Sequence, residues 1–292
     1  MQKLPTKAII TDAGYASRYL PITKTIPKAM LPFGNRPIMQ LVIEECIEAG
    51  ITEIIIVATT EGKPIYEDYF NNIANKIRKQ LSDQGKEERY EVVQHVLDFP
   101  KIIVIEQDPS LPYGNGAPIV SARNYIRKDE PFLVLYSDDI IIGASDATGL
   151  IEAYKEHPDA KAIIMAQEVE TSEIHKYGII KLKDDYRLDK IIEKPSPEEA
   201  PSTLASYGRY LLTPEIFDLL DHENTGLDNE LWTVDAITKM AVSGTVVVQE
   251  TKGTWMTTGD PKNYFLAHLE YVLTNESYAT EVIKYIHDKK II

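Results

Sequence analysis

The chemistry-bearing residues of this 292-residue chain gather in a few short segments. The stretch Asp12-Ala13-Gly14-Tyr15-Ala16-Ser17-Arg18-Tyr19-Leu20-Pro21 follows a short apolar run, where ligands of open α/β sheets usually bind. Gly14 lets backbone approach a ligand closely, and Arg18 supplies a fork-shaped cation suited to phosphate. Lys24 and Lys28 follow within ten residues. The loop is no Walker motif, because no Gly-Lys-Ser/Thr ends a glycine-rich run, and it lacks the three-glycine dinucleotide spacing. A structural loop with solvated charges would look the same by composition. Further on stand Gly114-Asn115-Gly116, Ser137-Asp138-Asp139 after an apolar run, Tyr177-Gly178, and Glu193-Lys194-Pro195. Each also reads as ordinary turn chemistry.

Charge narrows the ligand classes. With 31 basic against 45 acidic residues the net charge is −14, which disfavours nucleic acid and anionic membranes as partners. A small phosphate ligand is compatible only if local cations, backbone amides or a metal meet it. One cysteine, Cys46, excludes an internal disulfide and a cysteine-based metal cluster. The six histidines, His95, His157, His175, His222, His268 and His287, show no paired ligand spacing. No apolar run reaches the roughly 20 residues of a membrane span, and the start reads without a signal peptide, so the expected compartment is the cytoplasm.

The elements that must position these residues alternate. Apolar runs at 7–11, 53–57, 101–105 and 132–136 read as buried strands, and Ile38, Leu41, Val42, Cys46 and Ile47 mark a helix ended by Gly50. Strand, helix, strand within about 50 residues predicts a βαβ unit and a parallel sheet. Residues 65–97 read as polar and helical, with Tyr66, Phe70, Ile73, Ile77 and Leu81 as one face. After a helix near 149–154, strands are expected at 162–165, 178–182, 188–192 and 205–210. Thr213-Pro214-Glu215 and Asp260-Pro261 both carry the signature of an N-cap followed by proline. No linker or repeat divides the chain, so a single α/β domain over 1–292 is expected, its sheet mostly parallel, partly mixed and flanked by helices, with a helical tail from about 261.

The string from Ala13 to Pro32, AGYASRYLPITKTIPKAMLP, resembles the signature of the sugar-1-phosphate nucleotidylyltransferases, and most of all the prokaryotic UTP–glucose-1-phosphate uridylyltransferases. Matches continue in family order through Arg36-Pro37-Ile38, residues 49–54, Gly114-Asn115-Gly116, Ser137-Asp138-Asp139-Ile140, Tyr177-Gly178, Glu193-Lys194-Pro195, Gly208-Arg209-Tyr210, Glu230 and Asp235-Ala236-Ile237. The segment around residues 75–79 is similar to an insertion that separates uridylyl- from thymidylyl-transferring members. The resemblance implies a Rossmann-like nucleotidyltransferase domain that joins UTP to a sugar 1-phosphate and releases pyrophosphate. It implies that Arg18 holds the triphosphate, Lys28 stands near the α-phosphate, and Ala13, Gly14, Gly114 and Gly116 meet the nucleotide. Tyr177, Gly178, Glu193, Lys194 and Glu230 would bind the sugar phosphate, Asp138 would bind Mg2+, and the chain would form a homodimer or homotetramer.

Several positions depart from the family pattern. Ala16 stands where glycine is usual, Ala29 where uridylyltransferases carry glutamate, Trp232 where a glutamine is expected, and Thr257 where the second magnesium-binding aspartate belongs. Counting back from Gly114 puts Pro109 at the uracil-contacting glutamine, and Gln107 fills that role only if this loop is slightly longer. Three readings follow: an active enzyme recruiting Asp12, Asp139 or Asp260 to the metal; a transferase for another sugar or base; or a homologue that binds nucleotide sugar without turnover.

Overall fold

The computed structural model describes residues 2–184, 186–220, 225 and 229–289. Their centre is a nine-stranded mixed sheet. Four neighbouring strands, Lys101–Glu106, Glu53–Ala58, Lys7–Asp12 and Phe132–Tyr136, run parallel. The long Leu204–Leu212 strand then pairs antiparallel with Phe132–Tyr136, and carries Ala162–Glu168 and Gly178–Leu182 on its far side. Leu188–Glu193 and Val246–Glu250 complete the edges, the latter parallel to Ala162–Glu168.

The unbroken apolar runs of the parallel strands reflect burial on both faces. Ala8, Ile10, Ile54, Ile56, Leu133 and Leu135 pack in one core cluster, with Met39, Val42 and Cys46 of the helix Ile38–Glu48 and Leu150 and Ala153 of the helix Asp146–Glu156. Ile9, Ile55, Val57, Phe132 and Val134 alternate with them and pack in a second cluster, under the helices Ala117–Ser121 and Thr233–Ala241. A third, smaller cluster joins Tyr19, Leu31, Phe33 and Ile140 to Ala267, docking the C-terminal helix Pro261–Thr274 against the strand Asp139–Ile142.

Two helical readings need correction. The apolar face expected through 65–81 stops at Phe70: Tyr66 and Phe70 are buried in the helix Lys63–Asn71, whereas Ile73 and Ile77 are exposed. The chain breaks there, Ala74 taking a left-handed backbone (φ 48°) before the solvated helix Asn75–Asp83. Thr213 caps no helix; its hydroxyl donates to the Lys161 carbonyl at 2.9 Å, and a single turn begins at Ile216. Asp260 does cap, accepting from the Asn263 amide at 3.0 Å, and the helices Pro261–Thr274 and Glu276–Asp288 form the tail. The last expected tail residues, and His222, lie outside the described residues.

Candidate active site

The four parallel strands end on one edge of the sheet, and the loops leaving three of them build the site, as open α/β topology requires. Asp12 ends its strand in a sealed position. Its carboxylate accepts from the Tyr66 hydroxyl and from Ser137 Oγ, the latter at 2.8 Å, fixing the 13–28 loop to the turn after Phe132–Tyr136. Burial pushes the Asp12 carboxyl above its usual range, against the opposing pull of Lys28.

Lys28 crosses from that loop to Asp138, its Nζ donating to Oδ2 at 2.5 Å, with both side chains less than a quarter exposed. Burial lowers the Lys28 ammonium, but Asp138 and Asp12 outweigh it and the net shift is upward. Burial likewise raises the Asp138 carboxyl, yet the Lys28 charge and hydrogen bond prevail and hold it below its usual range. Each group is therefore charged because the other is.

A two-stranded ribbon flanks this pair. Asp139–Ile142 runs antiparallel to Thr254–Thr257, with Thr257 opposite Asp139. Thr258 closes the turn by donating its amide and hydroxyl to the Asp138 carbonyl, at 2.6 and 2.9 Å. Thr257 Oγ1 and Asp138 Oδ2 both stand 3.3 Å from the point where a Cβ on Gly259 would lie, so hydroxyl and carboxylate face one spot. Each of the three acids expected to stand in for a second metal ligand already accepts two hydrogen bonds from protein. Asp12 is sealed as described. Asp139 accepts from Trp255 Nε1 at 2.8 Å and from the Gly208 amide at 3.0 Å. Asp260 is spent on both nitrogens of Asn263.

Two chambers open on either side of Asp138. The smaller, about 230 Å³, is lined by Ala13, Gly14, Lys28, Gln107, Gly114 and Glu230, with Trp232 and Tyr113 beside them. The larger, about 600 Å³, is lined by Arg18, Tyr177, Gly178, Glu193, Lys194 and Thr257, with Tyr207, Trp255 and Ser206. Asn115, Tyr136 and Asp138 line both. Most residues expected for the nucleotide thus share one chamber, and most expected for the sugar phosphate share the other. Two change sides: Arg18 lies in the larger chamber, its Nη1 3.4 Å from the Gly259 carbonyl, and Glu230 lies in the smaller.

Other expectations gain a physical reason. Ala16 does adopt a left-handed backbone (φ 45°, ψ 43°), which costs a residue with a Cβ about 1–2 kcal/mol. Ala29 is fully buried in the main core and faces neither chamber. Gln107 lines the smaller chamber and Pro109 does not. Gly114 and Gly116 have a duty the sequence did not disclose: a Cβ on Gly114 would lie 2.4 Å from the Leu231 carbonyl oxygen, and one on Gly116 2.8 Å from Leu220 Cδ2. They are small so that the 229–232 segment can close the chamber. Gly178 makes room for Ile191 and Glu193, whose Cγ2 and Oε2 would be 2.9 and 3.0 Å from a Cβ there. Lys194 is also left-handed (φ 46°), its Nζ 3.6 Å from Glu193 Oε1 and 4.8 Å from the Trp232 ring centroid.

Sequence reasoning gave a role to Tyr177 but none to Tyr207 and Trp255, which share the aromatic wall of the larger chamber with it. Trp255 stacks on Tyr207 (4.6 Å, 8°) and meets Tyr177 edge-on at 5.0 Å. It also missed the fully buried Arg209, which holds Glu45 at 2.9 Å and donates to the carbonyls of Tyr136, Gly208 and Asp139, keeping both strands of the site in place. The pattern Ile140-Ile141-Ile142 was the available signal for the ribbon.

Comparison with known proteins agrees with this geometry. The sequence profile of the Nucleotidyl transferase family matches residues 7–273. The chain is 38% identical over 290 residues to UTP–glucose-1-phosphate uridylyltransferase 2 of Staphylococcus saprophyticus, covering 98% of each. Among solved structures, a UTP-bound UGPase from Acinetobacter baumannii superposes with a TM-score of 0.85 at 29% identity, over 98% of this chain and 99% of that one. A UDP-glucose pyrophosphorylase complexed with UDP-glucose gives 0.80 at 31% identity, over 94% of this chain and all of that one. A parallel-strand edge carrying a cationic loop, paired chambers meeting at one aspartate and a full-length match at this level lead to a single assignment: the chain belongs to the nucleotidyl transferase family.

Proposed function

We propose that this protein transfers the uridylyl group of UTP to glucose 1-phosphate, giving UDP-glucose and pyrophosphate. The observation that supports the reading is the pair of chambers sharing Asn115, Tyr136 and Asp138, an arrangement with room for a nucleotide and a sugar phosphate end to end. In the reaction a phosphate oxygen of the sugar phosphate attacks the α-phosphorus of UTP, and the bond to the β-phosphate bridging oxygen breaks as pyrophosphate leaves. Charge spreads over the phosphate oxygens, so the protein contributes positioning and cations more than a base. Lys28, at the junction of the chambers, turns from Asp138 toward the α-phosphate. Arg18 enters from the sugar side and neutralises the incoming phosphate together with Lys194. Glu193 accepts from sugar hydroxyls, and Gln107 offers an amide to the base edge.

The donor set fits a hard cation carried in by the triphosphate rather than one held by protein alone. Among the described residues no group of three or more His, Cys, Asp or Glu forms a metal site. Among the described residues, Asp138 is the junction carboxylate that takes its hydrogen bond from a lysine ammonium, that of Lys28. Mg2+ is commonly bound through one or two carboxylates plus substrate phosphates. When bound, it would neutralise the phosphate charge that develops during transfer.

Pyrophosphate release from UTP and glucose 1-phosphate, with other triphosphates and sugar phosphates as comparison, tests the reading. Turnover selective for this pair supports it, and equal turnover of another pair assigns the specificity elsewhere. Tight binding of UTP and UDP-glucose by calorimetry with no release of pyrophosphate would favour a nucleotide-sugar-binding homologue, a reading motivated by Thr257. We also propose a homodimer or homotetramer, which light scattering checks. A single cysteine, and no helix among the described residues long and apolar enough to span a membrane, support a cytoplasmic place for it.

A further inference from the structure

Ser206 Oγ is the one buried side-chain polar atom among the described residues without a hydrogen-bond partner. The residue is 6% exposed and lines the larger chamber. Tyr210, four residues on, turns its hydroxyl toward it without closing a hydrogen bond of proper geometry. A buried hydroxyl left unpaired carries its full desolvation cost, and such groups in native proteins call for a reason. Alanine at this position would lose no hydrogen bond of proper geometry.

The register of the sheet says where this hydroxyl looks. Ser206 stands directly opposite Gly178 in an antiparallel pair. Directly opposed residues project from the same face of a sheet. The Cβ that Gly178 lacks would lie 3.0 Å from Glu193 Oε2. Ser206 Oγ and the Glu193 carboxylate therefore open on the same side, across the gap that Gly178 leaves. A carboxylate only accepts hydrogen bonds, while a serine hydroxyl can donate as well as accept. Side by side they present what a sugar ring with adjacent hydroxyls requires, and the rings of Tyr136 and Tyr210 supply an apolar flank.

We propose that Ser206 is a specificity residue that hydrogen-bonds one ring hydroxyl of the sugar, beside the contact made by Glu193. The proposal rests on the uridylyl-transfer reading and deepens its sugar half. The serine is left unpaired in the free protein because its partner arrives with the substrate.

The test needs no turnover. Calorimetry on the full chain measures UDP and UDP-glucose binding to wild type and Ser206→Ala, with UDP reporting on the nucleotide half alone. Loss of one neutral hydrogen bond lowers UDP-glucose affinity about 3- to 10-fold while UDP affinity stays unchanged. In a panel of UDP-deoxyglucoses, one analogue binds wild type correspondingly weakly and loses nothing further on Ser206→Ala. Because no internal bond is broken, the ligand-free variant melts no lower than wild type. Unchanged UDP-glucose affinity, equal losses for UDP and UDP-glucose, additive losses across the whole panel, or a clear drop in melting temperature each overturn the proposal while the uridylyl-transfer reading stands. Wild-type protein that binds neither ligand refutes that reading, and this proposal with it.

Discussion

Replacing Thr257 by aspartate tests how this site handles charge. Among the described residues at the junction of the chambers, Asp138 takes its side-chain hydrogen bond from Lys28, whereas Asp12, Asp139 and Asp260 each accept two from other groups. Thr257 Oγ1 and Asp138 Oδ2 face one spot, each 3.3 Å from the Cβ position of Gly259. A carboxylate at 257 therefore points at the same place as Asp138 and supplies a second hard oxygen ligand. A charge-assisted contact is worth about 1.5–3 kcal/mol, and each 1.36 kcal/mol is tenfold in rate. If the contact strengthens as charge develops, Thr257→Asp raises kcat about 10- to 100-fold and lowers the magnesium midpoint by a similar factor. Without metal the two carboxylates repel, so the variant melts below wild type in EDTA and recovers in magnesium. Continuous pyrophosphate assays across a magnesium titration, with melting curves in both conditions, read all three effects. Equal wild-type and variant rates with an unchanged magnesium midpoint would refute the argument that Thr257 limits this site.

Four further outcomes follow from the same geometry. Ala16→Gly relieves a left-handed backbone at the phosphate loop; after the chain-entropy cost of glycine the gain is about 0.5–1 kcal/mol, a rise of roughly 1–3 °C by scanning calorimetry, whereas a fall would mean φ 45° is not strained. Lys28→Met strands the Asp138 carboxylate at a cost of about 1–3 kcal/mol at neutral pH. Because Asp138 is held below its usual range, the stability from this pair is present above the unfolded carboxylate value and lost as pH falls through the folded one, so the melting curves of variant and wild type converge in acid; a constant gap would argue against the pairing. Gln107→Ala removes an amide from the nucleotide chamber and weakens UDP about tenfold while narrowing the preference for UTP over CTP, and unchanged selectivity would move base recognition elsewhere. Cys46, fully buried, has its thiol pushed far up by burial, and is expected to react with thiol reagents at pH 8 only after denaturation; rapid native labelling would contradict the packing of its helix.

How far the sequence discloses the molecule depends on how local each signal is. The strand Phe132–Tyr136 matches its apolar run because both faces are covered, and Asp260-Pro261 announces a helix through its own cap. The ribbon of Asp139–Ile142 and Thr254–Thr257 escapes, because two four-residue strands far apart in the chain carry no periodicity of their own. The face drawn through Ile73 and Ile77 fails for the opposite reason: spacing persists across a break that only the backbone at Ala74 reveals. In the site, residue types were legible and their bonding was not. Whether Asp12 or Asp139 can bind a metal is decided by Tyr66, Ser137, Trp255 and Gly208, all distant in sequence except Ser137's neighbourhood of Asp139.

The departures from the family pattern become coherent when the charges of the free site are followed. Lys28 is matched by Asp138, and Lys194 by Glu193. Under the proposed function, a triphosphate and a sugar phosphate would have to displace those carboxylates from their lysines. A second acid at 257 would add a negative charge to that junction with no further lysine paired to it among the described residues, inside a chain already at −14. Threonine adds no charge at the spot where Asp138 Oδ2 and Arg18 Nη1 already stand 3.3 and 3.9 Å from the Gly259 Cβ position. It keeps a hydrogen-bonding oxygen at the same spot, where Thr257 Oγ1 already accepts from the Gly259 amide at 3.2 Å. The exchange eases entry of anionic substrates and withdraws a ligand from the cation that would stabilise their transfer. Binding and turnover thus pull Thr257 in opposite directions, because ground-state affinity and transition-state stabilisation are separate demands on the same side chain.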